Sequence, residues 1–157
     1  MGTLRKCFVG GLLLFATGLA AQTTDLPPGV RRIPPERLGN YWLLVPESAQ
    51  ANVPNSGYGL DAPTCVAVSY MVEKSGATSH VKLEKVVPPG PLGKVAFNVV
   101  SGMRFANAPQ NAGKDPVATY VVMPFNVPDA ASTKAADKAE RERVLAPCKL
   151  DDFAPAK

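Results

Sequence analysis

The chain has 157 residues, 46% of them apolar and 19% charged, with a formal net charge of +4 and one histidine. That length suffices for a single domain with one modest core. Nowhere do Lys and Arg cluster with interleaved aromatics, so composition excludes a nucleic-acid-binding surface. In chain order, residues 1–20 read as a secretory signal. Arg5 and Lys6 precede an apolar run from Cys7 to Ala16, and Gly18-Leu19-Ala20 offers a small-x-small cleavage site before Ala21. The run falls short of the ~20 residues of a spanning helix, although an uncleaved inner-membrane anchor is the alternative. No cysteine follows the cleavage position, which excludes a lipoprotein. Cleavage leaves fifteen basic against thirteen acidic residues, so the alkaline balance says little about partners.

Residues 21–63 form a Pro-rich linker and extension. Pro27-Pro28 and Pro34-Pro35, with Arg31, Arg32 and Arg37 around them, predict an extended, solvated segment. Tyr41 to Pro46 is an apolar cluster holding the only tryptophan, and in a domain short of core Trp42 is expected to be buried. Asn52 to Pro63, with Pro54, Gly57, Gly59 and Pro63, is a turn-rich connection.

The organising stretch is 64–127. Cys65 to Val72 alternates as a strand, with Val66, Val68, Tyr70 and Val72 on one face. Glu73-Lys-Ser-Gly76 is a tight turn, since Gly76 tolerates positive φ. A second strand, Ala77 to Val87, places Val81 and Leu83 inward and His80, Lys82 and Glu84 outward; Pro88-Pro89-Gly90 stops it. Leu92, Val95, Ala96, Val99 and Met103 then form the apolar stripe of a helix, with Pro91 suited to its first turn. A polar loop leads to a third strand ending at Val127, with Val121, Met123, Phe125 and Val127 on one face. Pro124 within it argues for a sheet edge. Residues 128–157 predict a charged, largely solvated helix over 129–146 and a tail. Asp129 or Ser132 is the candidate cap, and Asp137–Arg141 an i,i+4 pair.

This string of strand, turn, strand, helix, strand resembles the C-terminal domain of the TonB energy-transducer family. The resemblance rests on Val66-Ala-Val-Ser-Tyr-Met-Val72 before the Gly76 turn, on Met103-Arg-Phe-Ala-Asn-Ala108 at the helix exit, and on Val117 to Val127 closing the module. Met103 stands where that family has an aromatic, and Asn107 where it has a proline. The resemblance implies an α+β fold: a ββαβ module whose antiparallel or mixed three-stranded sheet packs on one amphipathic helix, with the charged helix appended. With a right-handed crossover the strand order is 2-1-3, and strand three lies at the edge. The implied function is a periplasmic interaction module that adds a strand from an outer-membrane TonB-dependent receptor, or another envelope protein, to that edge. Thr119, Tyr120, Val121, Val122, Met123, Pro124, Phe125, Asn126 and Val127 are the partner-facing positions. An inner-membrane proton-channel complex is implied only if the N-terminus is retained. The alternative is a soluble structural or accessory envelope protein of the same fold that transmits no force.

Catalytic and cofactor constellations are sparse. Cys65 and His80, imagined as thiol and base, lack any surrounding signature. No CxxC or HxxxH spacing suggests a metal site, and Gly90-Pro-Leu-Gly93 lacks the pattern of a phosphate loop. Asp151-Asp152 reads as a solvated pair in a tail. Neither an active site nor a cofactor is expected. The two cysteines left after cleavage, Cys65 and Cys148, are expected to form a disulfide in an oxidising periplasm, folding the tail onto the core.

Overall fold

Strand β3 (Thr64–Val72) is buried along its whole length, and the rest of the chain is arranged around it. The structure, a computed structural model, describes residues 26–51 and 60–153. The signal segment with its cleavage site, most of the turn-rich 52–63 connection and the last four residues of the tail lie outside the described residues. Among those described, no helix is long and apolar enough to cross a membrane.

β3 pairs antiparallel with β4 (Thr78–Val87) on one side and with β6 (Val117–Phe125) on the other. A two-residue strand, β1 (Arg31–Arg32), adds parallel to the start of β6. The sheet is therefore four-stranded and mixed, in the order β1-β6-β3-β4, and the fold class is α+β. This corrects the expected three-stranded sheet: the Pro-rich segment supplies a strand and the core residue Ile33, where an extended, solvated linker was expected. Helix α1 (Leu92–Gly102) follows β4 and leads into a short strand, β5 (Phe105–Asn107), which pairs antiparallel with β2 (Trp42–Leu44) in a separate ribbon. Trp42 is buried, and its indole N–H donates to the Asp115 carbonyl at 3.0 Å.

The period-2 pattern of β3 separates two cores. Val66, Val68, Tyr70 and Val72 face α1 and pack with Leu92, Val95, Ala96, Val99 and Val100. The opposite face carries Cys65 and Ala67, which pack with Val144 of α2 (Ala135–Leu145) and with Cys148. Cys65 and Cys148 are disulfide-bonded, with Cα atoms 6.1 Å apart. Alternation alone marks one face of β3 as core; the stapled C-terminal segment buries the other as well. Only Val144 of α2 is buried, in keeping with the low apolar content of that helix. Its cap is Lys134, with no side-chain capping bond. Arg141 donates to the Pro128 carbonyl at 3.0 Å, and the helical ion pair is Glu140–Arg143.

Gly76 ends the β3–β4 turn at φ 80, and its carbonyl accepts from the Phe105 N–H at 2.8 Å. A Cβ there would collide with the Phe105 carbonyl. Both the left-handed conformation and the close approach of β5 require glycine at this position.

Candidate partner-binding edge

The outer edge of β6 can be followed group by group. The Ile33 N–H donates to the Ala118 carbonyl at 2.9 Å, so Ala118 turns its backbone groups toward β1. Strand pleat repeats this direction every second residue. The N–H and C=O of Tyr120 and Val122, and the C=O of Pro124, therefore point outward. Val117, Thr119, Val121, Met123 and Phe125 point theirs into the β3 ladder, whose register runs unbroken from Thr64–Phe125 to Val72–Val117. Pro124 occupies an outward position, where its missing N–H removes no internal bond. On this outer edge, no strand among the described residues pairs with β6 beyond Ala118, and the 3-10 helix Pro35–Asn40 that follows β1 is in contact with β6.

The nine positions Thr119 to Val127 differ in what they offer. Thr119 is fully buried, and among the described residues its hydroxyl has no hydrogen-bond partner. Val121, Met123 and Phe125 pack partly against the α1 core, and Val122 against the α2 side. Tyr120 lies over Phe153, ring centroids 5.2 Å apart, and the Arg32 guanidinium sits 5.7 Å from the same Phe153 ring. The strand ends at Phe125. Asn126 takes φ 53, and its side-chain amide donates to the carbonyls of Leu60 and Ala62. That reversal sends Val127 into the second core with Val144, away from the Val121 face on which alternation places it.

The opposite edge of the sheet is built differently. β4 carries two register shifts against β3, between Ala67 and Val68 and between Ser69 and Met71, with His80 at φ 49 inside the second. Bulges of this kind bend and twist an edge away from pairing. They also re-aim side chains: Glu84 accepts from the Ser69 hydroxyl at 2.7 Å and pairs with Lys82 at 2.9 Å, on the face covered by the C-terminal segment. Lys85 donates to the Pro147 and Lys149 carbonyls. Burial works against the ionised Glu84, but the bonds from Ser69 and Lys82 and the positive charges of Lys82 and Arg32 prevail and hold its pKa below the ordinary carboxylate value. Simple alternation made His80, Lys82 and Glu84 solvent-facing, with nothing to mark the two bulges.

Cys65, in its disulfide, has no thiol to act with His80. Tyr70 is pushed well above the ordinary phenol range by burial, in keeping with a core residue stacked on Phe105 at 6.0 Å. Among the described residues, no group of three or more His, Cys, Asp or Glu is placed to hold a metal ion. No protein-family model matches the chain, and neither does any curated protein.

Proposed function

We propose that the protein is a strand-accepting interaction module, similar to the TonB C-terminal domain, in which an extended segment of an envelope protein adds to the outer edge of β6 at Tyr120–Pro124. The observation that carries this reading is the contrast between the two edges of one sheet. β4 is bulged and bears Lys82, Glu84 and Lys85, the devices that discourage strand addition. From Thr119 to Phe125, β6 has no bulge and no charge, and β1 accompanies only its first two residues. The outward groups of Tyr120, Val122 and Pro124 offer a partner a short ladder. At about 0.5–1.5 kcal/mol for each bond, before ordering costs, such a ladder gives reversible adhesion.

In this reading the ββαβ core is β3, β4, α1 and β6, with β5 an insertion at the helix exit. The partner class that fits is the extended periplasmic segment of an outer-membrane TonB-dependent receptor. The protein is then periplasmic and no enzyme, and it engages an inner-membrane proton-channel complex only if an N-terminal anchor is retained. Amide NMR of the protein titrated with such a receptor-derived peptide tests the proposal. The expected result is shifted and slowed-exchange amides at Tyr120 and Val122, with the β3–β4 ladder unchanged. Unaltered Tyr120 and Val122 amides at saturating peptide would remove the reading, leaving a structural or accessory envelope protein.

A further inference from the structure

Residues 147–153 cross the α2 side of the sheet from one outer strand toward the other. Lys85 of β4 donates to the Pro147 and Lys149 carbonyls at 3.0 and 2.9 Å, and Cys148 is bonded to Cys65 of β3. Phe153 packs on Tyr120 of β6, ring centroids 5.2 Å apart. Tyr120 stands beside Ser69 and Ala118 beside Met71, so both turn their side chains to the face that carries Cys65 and Ala67. Arg32 stands beside Ala118 on β1 and shares that face, its guanidinium 5.7 Å from the Phe153 ring. Phe153 is therefore buried, at 7% exposure, between a residue of β6 and a residue of β1.

A strand added to the outer edge of β6 beyond β1 continues the line of β1, about 4.8 Å from β6. Its residue beside Tyr120 turns its side chain to the α2 side, as Arg32 does beside Ala118, and its Cβ comes within about 5 Å of that of Tyr120. Phe153 already fills the space between Tyr120 and the line of β1. Two residues along, the surroundings differ: Val122 is only partly buried, as are Val127, Leu145 and Leu150 around the second core. We propose that Phe153 is a specificity-determining residue of this edge. It restricts the added strand to glycine, alanine or serine beside Tyr120, and leaves room for a large apolar side chain beside Val122. Strand addition at β6, as proposed above, is the premise, and the segment that fits carries a small and a large residue two positions apart. Overfilling a place held by a buried aromatic forces side chains off their rotamers, whereas a large side chain beside Val122 removes apolar surface from water. The disulfide and Lys85 matter here because they fix the segment that presents Phe153.

The test is an amide NMR titration of the full chain with acetyl-Thr-Xaa-Thr-Leu-Thr-amide and with the reversed order, acetyl-Thr-Leu-Thr-Xaa-Thr-amide. Xaa is alanine or phenylalanine, and the two orders cover both strand directions. In one order the alanine peptide should shift the Tyr120 and Val122 amides and bind about tenfold or more tightly than its phenylalanine counterpart. Phe153→Leu should narrow that ratio and Phe153→Ala should abolish it, with the alanine peptide bound as before. The leucine variant keeps an apolar anchor on Tyr120, so the ratio is read even where the alanine variant loosens the tail. A ratio near one in the wild type, or variants that weaken both peptides alike, would overturn the role of Phe153 while leaving strand addition standing. No shift at Tyr120 or Val122 with any of these peptides would remove strand addition itself, and the role of Phe153 with it.

Discussion

The Ile33 N–H donates to the Ala118 carbonyl at 2.9 Å, and this bond sets the direction of every backbone group along β6. Because Ala118 faces β1, Tyr120 and Val122 face outward with it, while Val121 faces β3. β1 stops at Arg32 and Pro34 follows Ile33, so the Pro-rich segment leaves the ladder for a 3-10 helix at Pro35–Asn40, which remains in contact with β6. Pro35 lacks the N–H that would next point toward β6 if β1 were longer.

Two proline substitutions, one residue apart, should behave oppositely. Val122→Pro removes an outward N–H, and should leave the folding transition near that of the wild type while abolishing peptide addition. Val121→Pro removes an N–H given to β3 and orphans a buried carbonyl, a cost of at least about 1–3 kcal/mol. Denaturant unfolding and peptide binding, measured together on both variants, check this. Equal destabilisation by the two would mean that β6 is paired on both sides and that no strand can add there.

The Cys65–Cys148 bond closes a loop of 83 residues in sequence separation. By loop-closure entropy, its removal should lower stability by up to roughly 4–5 kcal/mol. The loss should be unevenly distributed. Among the described residues, the buried members of the second core are Cys65, Ala67, Val144 and Cys148, whereas the α1 core is several times larger. In a Cys65→Ser, Cys148→Ser variant, amide exchange in α2 should accelerate before that in α1. Uniform acceleration in both helices would show that the disulfide supports the whole domain equally.

The legible part of the fold is the part with a clear period. The α1 stripe from Leu92 to Val99, the alternation of Val66 to Val72, the Gly76 turn and the burial of Trp42 all follow from spacing and composition. What escaped has no period to read. β1 is two residues of arginine with no apolar alternation, and its pairing is decided by Ile33 entering the core from an otherwise polar segment. The bulges in β4 depend on Glu84 and His80 taking irregular places in the ladder, and neither residue type signals that locally. A cavity of about 420 Å³ on the α2 side of the sheet depends on both omissions at once, since Arg32 in its lining comes from β1 and Glu84 and Lys85 from the bulged strand. Asp151 and Asp152 read as a solvated pair, and they remain exposed; only the stapled tail brings them to a cavity.

Thr119 is fully buried, and among the described residues its hydroxyl has no hydrogen-bond partner. A buried hydroxyl left unpaired costs on the order of 1–3 kcal/mol relative to a satisfied one. Thr119→Val keeps the shape and the β-branching while removing the polar atom. It should therefore stabilise the protein, by about 1 kcal/mol, without altering peptide binding, because Thr119 points its backbone groups to β3. Thermal unfolding decides the matter. A destabilised Thr119→Val would show that the hydroxyl is satisfied in solution.

Glu84 should leave a signature on the acid side of the stability profile. Burial raises its pKa, but hydrogen bonds from Ser69 and Lys82, with the charges of Lys82 and Arg32, lower it further than burial raises it. A carboxyl whose folded pKa is depressed binds its proton more readily in the unfolded chain, so protonation favours unfolding. Its stabilising contribution is thus fully present above the unfolded carboxyl value of ~4.3 and is lost as pH falls through the folded value. The stability difference between wild type and Glu84→Gln should be constant from pH 6 to 7, then shrink below about pH 4.3. Ser69→Ala, which deletes one donor at 2.7 Å, should bring the folded pKa closer to the ordinary one and reduce the acid-dependent loss. Denaturant unfolding between pH 3 and 7, with NMR titration of the Glu84 carboxyl carbon, measures both. A difference that grows as pH falls would mean that burial outweighs the Ser69 and Lys82 contacts.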